Sequence, residues 1–268
     1  MTTTLHFTIL GCGASPGVPR IDGLWGACDP ANPKNRRRRC AMLVQRFDGD
    51  EQTALLIDTG PDLREQMITT GLTWLDGVLY THDHADHTHG IDDLRILAYN
   101  RRKLIDVYFD AATGAIVQRR FDYCFATPEG SSYPPIVKAN AIEHGREIVI
   151  EGPGGEIRVM PFRQLHGNIE SLGFRFGCLA YSSDLHDLPP ESLPFVEELD
   201  VWIVDALRYT HHPSHFSVEQ ALDWIARLRP HRAILTHLHM DLDYETLRGE
   251  LPSGVEPAFD GMQLELTF

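Results

Sequence analysis

The chain has 268 residues, 43% of them hydrophobic, enough for one α/β core, because single cores stay workable up to roughly 250–300 residues. Its 24 Lys and Arg against 38 Asp and Glu give a formal charge of -14, which repels polyanions at long range and argues against extensive nucleic-acid binding, while a small anionic ligand stays acceptable. No run approaches the roughly 20 apolar residues of a membrane span and residues 1–10 lack a basic-then-apolar signal pattern; the five cysteines, Cys12, Cys28, Cys40, Cys124 and Cys178, form no CxxC pair. The expectation is a single domain over residues 1–268 in a reducing cytoplasm, without a membrane.

Residues 5–10 predict a strand running into the Gly-rich loop 11–17, GCGASPG. Strands follow at 41–47 and 54–58, then a helix over about 62–69. The apolar run 76–80 predicts a buried strand that ends directly in Thr81 and His82. A strand at 105–109, a helix near 111–121 and a Pro/Ser-rich loop at 127–135 come next. Hairpin arms at 147–151 and 156–162 flank the turn Gly152-Pro153-Gly154-Gly155, and further strands are expected at 172–176, 179–182 and 201–204. The helix 217–228 carries Ser217 and Gln220 in capping-box positions, with Val218, Leu222, Ile225 and Leu228 along one face. A last core strand at 232–235 delivers Thr236 and His237, so 78–82 and 234–237 both bring a histidine to a strand end.

The sharpest chemical signal is THDHADH, in which His82, His84, Asp86 and His87 place three imidazoles and a carboxylate within six residues after an apolar strand. Neutral imidazole and carboxylate suit Zn, Mn or Fe. Alternation in an extended turn lets His82 and His84 face one ion while Asp86 and His87 face a second.

This pattern resembles the HxHxDH hallmark of the metallo-β-lactamase superfamily, over nearly the whole chain. The resemblance implies a four-layer αββα sandwich of the α/β class and two divalent metal ions. It matches His166 in QLHGN to the ligand completing the first site, Asp184 in LAYSSD to the bridging carboxylate, and His237 in ILTHLH to the ligand completing the second. Asp58 in LLIDTG fits the family's strand-end aspartate, which supports the ligand loop rather than binding metal. Two ions a few ångströms apart hold a hydroxide at neutral pH and neutralise charge on a phosphoryl oxygen, so metal hydroxide is the expected nucleophile. No Ser or Cys triad is needed, and Cys12 and Cys40 read as small packing residues.

His215, in HPSHFSVEQAL just ahead of the capped helix, is similar to the histidine that phosphodiesterase branches carry as HST before a helix, acting as proton donor or phosphate contact; Phe216 departs from that pattern. His215 and Asp86 are the catalytic candidates, Asp86 doubling as a ligand. The separate roles of His211 and His212 are not resolved by sequence.

The opening GCGASPGVPR and the run Arg36, Arg37, Arg38, Arg39 and Cys40 resemble the phosphoribosyl cyclic phosphodiesterases of phosphonate breakdown, and GIDDLR at 90–95 occupies the position where that branch has a glycine and a leucine-bearing helix. That branch adds a structural zinc on three close cysteines and a histidine. Here the early segment offers only Cys28, and Met240 stands three residues past His237, which implies that the extra zinc is absent. The arginine run is read either as a phosphate contact or as a solvated basic turn, and the Gly-rich loop as a tight turn bordering the active site. The function expected is hydrolysis of a small cyclic or nucleotide-like phosphodiester. Alternatives are a tRNA 3′-end endonuclease, a pyrroloquinoline-quinone biosynthesis protein and a non-catalytic metal-binding module; a secreted β-lactamase fits poorly without a signal peptide. The resemblance also raises a homodimer, though no segment marks an interface.

Overall fold

A computed structural model describes residues 3–268; Met1 and Thr2, which the expected domain and start segment include, lie outside the described residues. In chain order the strands are β1 (Thr4–Gly11), β2 (Ala41–Asp48), β3 (Glu51–Ile57), β4 (Gly77–Leu79), β5 (Ile105–Phe109), β6 (Val137–Ala141), β7 (Ile148–Ile150), β8 (Ile157–His166), β9 (Ile169–Phe176), β10 (Leu179–Ser182), β11 (Val201–Asp205), β12 (Arg232–Thr236), β13 (Val255–Pro257) and β14 (Met262–Thr267). The helices are α1 (Leu63–Thr70), α2 (Ala85–Thr88), α3 (Arg95–Arg101), α4 (Ala111–Arg120), α5 (Asp122–Phe125), α6 (Val218–Leu228) and α7 (Tyr244–Glu250). They form two mixed sheets, β14-β1-β2-β3-β4-β5-β6 and β13-β12-β11-β10-β9-β8-β7, within the expected α/β class. By contact the chain divides into two compact units, one built on Ala41–Arg158 with both chain ends, the other on Ile9–Cys40 and Val159–Met262.

In the first unit, β2 and β3 pair antiparallel and β3, β4, β5 and β6 run parallel. Strands covered on both faces read as continuous apolar runs, and Leu55, Leu56, Ile57, Val78, Leu79, Ile105 and Val107 are all buried. The register sets Ile57 opposite Leu79, so Asp58 and Tyr80–Thr81 leave the sheet at the same level.

In the second unit, β9 and β10 are antiparallel, while β10, β11, β12 and β13 are parallel. Ser182 pairs with Val204 and Asp205 with Thr236, which brings the residues just beyond these strands to one edge. Its core gathers Phe162, Trp202, Val204, Phe216, Ile225 and Leu235. Trp202 is fully buried and satisfies its indole N–H on Ser182 Oγ at 3.0 Å. Both bonds of the predicted capping box form at the start of α6: Ser217 Oγ accepts from Gln220 N, and Gln220 Oε1 accepts from Ser217 N.

Sequence and structure differ most at β8. The arm expected over 156–162, with His166 after it, runs on through His166, paired with Ile169 of β9 across a turn at Gly167. The polar Gln164 within it is buried, its amide donating to Ser171 Oγ and Ser183 O. Gly167 has φ +61, and a Cβ there would lie 2.9 Å from Ser214 Cβ, so only glycine makes this turn without strain. After the ligand loop, GIDDLR forms a 3-10 turn (Ile91–Leu94) that leads into α3.

Candidate metal and proton-transfer site

Except for His166, the last residue of the antiparallel strand β8, the histidines and carboxylates singled out in the sequence follow the carboxyl ends of strands with a parallel neighbour in their own unit, where open α/β sheets place their ligands. Asp58, Asp184 and His237 each turn the corner with φ between +55 and +64. Such backbone is uncommon outside glycine but tolerated by Asp and His.

In the first unit β4 leads through Tyr80 and Thr81 into the ligand loop. His82 and His87 are fully buried and His84 is exposed. The His82 ring centroid lies 4.5 Å from that of His84 and 4.4 Å from that of His87. Asp58 is the hub beneath them: it accepts Thr81 N and Thr81 Oγ1, each at 2.8 Å, and lies 2.6 Å from His87 Nδ1. Burial pushes the Asp58 carboxyl up, and the charge and hydrogen bond of His87 oppose that shift. With Nδ1–H turned to Asp58, a neutral His87 presents the lone pair of Nε2, as a second carboxylate does for a metal-bound imidazole. That Nε2 stands 3.4 Å from Asp86 Oδ2.

The second unit brings together His166, Asp184 and His215, and likewise Asp205, His215 and His237, with ligand atoms in each group within 4.8 Å of one another. His166 donates Nδ1–H to Ser214 O at 2.7 Å, which turns its Nε2 toward Asp184 Oδ1 at 4.0 Å. His237 Nε2 is 3.2 Å from the same oxygen. Neighbouring ligands on one tetrahedral ion with bonds near 2.0–2.2 Å lie about 3.3 Å apart. The His87–Asp86 and His237–Asp184 pairs have that spacing, so the donor sets suit a small divalent cation.

His215 is set apart from these pairs by a strong partner. Its Nδ1 lies 2.7 Å from Asp205 Oδ2, which also accepts Leu185 N at 3.1 Å. The ring stacks on His237 at 4.5 Å and 12° and meets His166 edge-on at 4.6 Å. Asp205 fixes the tautomer, so Nε2 is the atom left to exchange a proton. Sequence reading missed Asp205. The signal was present, because VWIVD ends an apolar strand in a carboxylate just as LLID does at Asp58. Ser214 was missed as well, since it acts on His166 through its backbone oxygen.

The histidines left unresolved by sequence now separate. His212 lies 5.2 Å from His215, its Nδ1 taking the Ser214 hydroxyl at 3.1 Å, and burial lowers its pKa. His211 is exposed, and its carbonyl accepts from Arg208. The arginine run is neither of the two expected things throughout. Arg37 is buried on backbone carbonyls, and Arg38 Nε pairs with Asp260 at 3.0 Å. In the Gly-rich loop the N–H groups of Cys12, Gly13, Ala14 and Gly17 go to Asp260, Arg38 O, Leu238 O and Ala14 O. It is therefore a braced turn next to the residue after His237. Cys12 is fully buried, and burial beside Asp260 pushes its thiol well up, consistent with packing rather than nucleophilic use.

Residues 53–238 match the family model described as β-lactamase superfamily domain. The chain is 32% identical to a solved diphosphatase from the PhnP family, with a TM-score of 0.89, covering 100% of this chain and 99% of that one. The zinc-bound PqqB of Methylobacterium extorquens shares the fold at 19% identity and TM-score 0.75, over 97% of this chain and 100% of that one. An octanoyltransferase of Porphyromonas gingivalis is 30% identical over 260 residues, 95% of this chain. The chain spans about half the length of that curated relative. Together with the histidine and aspartate clusters, these matches identify the chain as a member of the metallo-β-lactamase superfamily, with its α/β sandwich fold.

Proposed function

We propose that the chain hydrolyses a small phosphodiester, cyclic or nucleotide-like, using two divalent ions of zinc or manganese, or of iron. The ligands would be His82, His84, Asp86, His87, His166, Asp184 and His237, with His166 completing the set begun by His82 and His84, His237 the set begun by Asp86 and His87, and Asp184 as the shared carboxylate. Bound ions supply Lewis acidity and an activated water at neutral pH. The chain's own residues do the rest. Asp58 and Ser214 O aim the Nε2 atoms of His87 and His166, and Asp205 holds His215 so that its Nε2 delivers a proton to the leaving oxygen.

The observation that carries this reading is the 2.7 Å Asp205–His215 bond beside His237: a proton donor fixed next to a ligand is what departure of a poor alkoxide requires. Likeness to a PhnP-family diphosphatase supports a phosphorus-containing substrate. The acidic balance favours a small substrate over an RNA. Four of the five cysteines are buried, which supports packing thiols in a reducing cytoplasm. No helix among the described residues is long and apolar enough to cross a membrane.

Metal-quantified protein assayed against ribose 1,2-cyclic phosphate, 2′,3′-cyclic nucleotides, bis(p-nitrophenyl) phosphate, a pre-tRNA and a β-lactam tests the proposal. Preference for a cyclic phosphodiester with two ions per chain is the expected result. Inactivity on every phosphodiester at full metal content refutes it.

A further inference from the structure

His237 directly follows β12 with φ +58, and the segment after it, 238–243, belongs to no helix or strand. A ligand at such a corner is only as well placed as the backbone that follows. One side of that backbone is held by neighbouring main chain: Leu238 N donates to Cys12 O at 2.8 Å, Leu238 O accepts Ala14 N at 3.3 Å, and His239 N donates to Leu207 O at 2.9 Å.

The other side is held by a side chain. Arg37 is 2% exposed. Its Nη1 donates to His239 O at 3.1 Å and its Nη2 to Leu242 O at 2.7 Å. The same fork reaches Asn35 Oδ1 at 3.3 Å and Cys28 Sγ at 3.7 Å. Cys28 Sγ in turn contacts Met240 O and Leu242 O, both at 3.4 Å, and Ala27 N donates to Met240 O at 2.9 Å. Asn35, also fully buried, completes the clasp. Its Oδ1 accepts Tyr244 N at 2.8 Å and its Nδ2 donates to Asp243 Oδ2 at 2.6 Å, at the N-cap of α7.

We propose that Arg37 is a positioning residue for His237: its guanidinium clips the carbonyls of residues 239 and 242 and so fixes the corner from which the His237 ring projects. The clip is built from the planar fork. One guanidinium reaches two carbonyls, an amide oxygen and a sulfur at fixed angles, which a point-charge ammonium on a flexible stem cannot do. It needs no bound ion, so it holds the corner in the metal-free protein too. The inference rests on the reading of His237 as a metal ligand.

Cobalt-loaded full-length protein tests it, through the visible ligand-field spectrum and the rate of cobalt loss to a chelator, in wild type, Arg37→Lys, Arg37→Met and His237→Ala. The expected result is a changed spectrum and cobalt loss at least about tenfold faster in both Arg37 variants, with far-ultraviolet circular dichroism unchanged. Folded Arg37 variants with the wild-type spectrum and loss rate overturn the proposal, even if they melt earlier, because the clip would then be structural only. A wild type that binds no cobalt, or a His237→Ala variant with an unaltered spectrum, refutes the metal reading and this inference with it. Should neither Arg37 variant fold, Cys28→Ala, which removes the thiol contacts to Met240 O, to Leu242 O and to the Arg37 fork itself, carries the test. Faster cobalt loss there supports the clip, and wild-type loss overturns it.

Discussion

Replacing Asp205 with Asn keeps the shape of a fully buried side chain and removes its charge. The carboxylate holds His215 Nδ1 at 2.7 Å and Leu185 N at 3.1 Å through one oxygen. An amide can present its oxygen, preserving the tautomer but not the balancing charge, or its nitrogen, forcing the wrong tautomer. Either way His215 loses the partner that suits it to carry a proton. General acid–base catalysis is worth roughly 10²–10⁴ in rate, so Asp205→Asn should lower kcat by about 10²–10³ on a substrate with an alkoxide leaving group. Bis(p-nitrophenyl) phosphate, whose leaving group departs with little protonation, should lose less than about tenfold by the same principle. Metal content should stay at the wild-type value, measured by plasma emission on the assayed sample. Because the two residues act as a unit, Asp205→Asn with His215→Ala should be no slower than His215→Ala alone. An Asp205→Asn enzyme with near-wild-type kcat on the alkoxide substrate, or losses that multiply in the double variant, would refute the dyad.

Five more variants separate the remaining roles. His237→Ala and Asp184→Ala should each reduce bound metal and abolish turnover, whereas His215→Ala should keep its metal and lose only rate; full activity in the Asp184 variant would end its assignment as the shared ligand. Burial alone would raise the Asp243 carboxyl, but the N–H groups of Thr246 and Asp29 and the Asn35 amide hold it down at about 2. A carboxylate with a depressed folded pKa stabilises the fold above its unfolded value near 3.9. That contribution is lost as pH falls through about 2, so thermal melts of Asp243→Asn should depend less on pH across this window than those of wild type, and parallel curves would contradict it. Phe216, 1% exposed and packed near Trp224, should cost about 3–5 kcal/mol in urea unfolding when changed to Ala; a loss well under 1 kcal/mol would mean that the site collapses around the deletion.

What the sequence made legible was chemistry carried by local pattern. THDHADH after an apolar run, LLID, LAYSSD and ILTHLH each announce a donor at a strand end, and the Ser217–Gln220 capping box fixes the start of α6. What it hid depends on partners far along the chain. Asp205 matters because β11 lies beside β12 and because His215 folds back onto it, ten residues on. Arg37 looked like part of a solvated charge run. Its burial depends on carbonyls about 200 residues away, which no window of neighbours displays. The strands β6 and β13 and the helix α7 are short and mixed in polarity, so periodicity left them unassigned; β14 alternates buried Met262 and Leu264 with exposed Gln263 and Glu265, a signal that was present and missed; and β8 outran its apolar stretch because β9 pairs with its polar end.

The left-handed corners at Asp58, Asp184 and His237 bear on how such a protein is engineered. Glycine adopts backbone of this kind without the steric cost that Asp and His meet there. A stabilisation campaign scored on backbone geometry alone would therefore begin by nominating these three positions, and its first products would lack two of the proposed ligands and the carboxylate beside His87. On the proposed assignments, thermal robustness and turnover compete for these residues and have to be selected together.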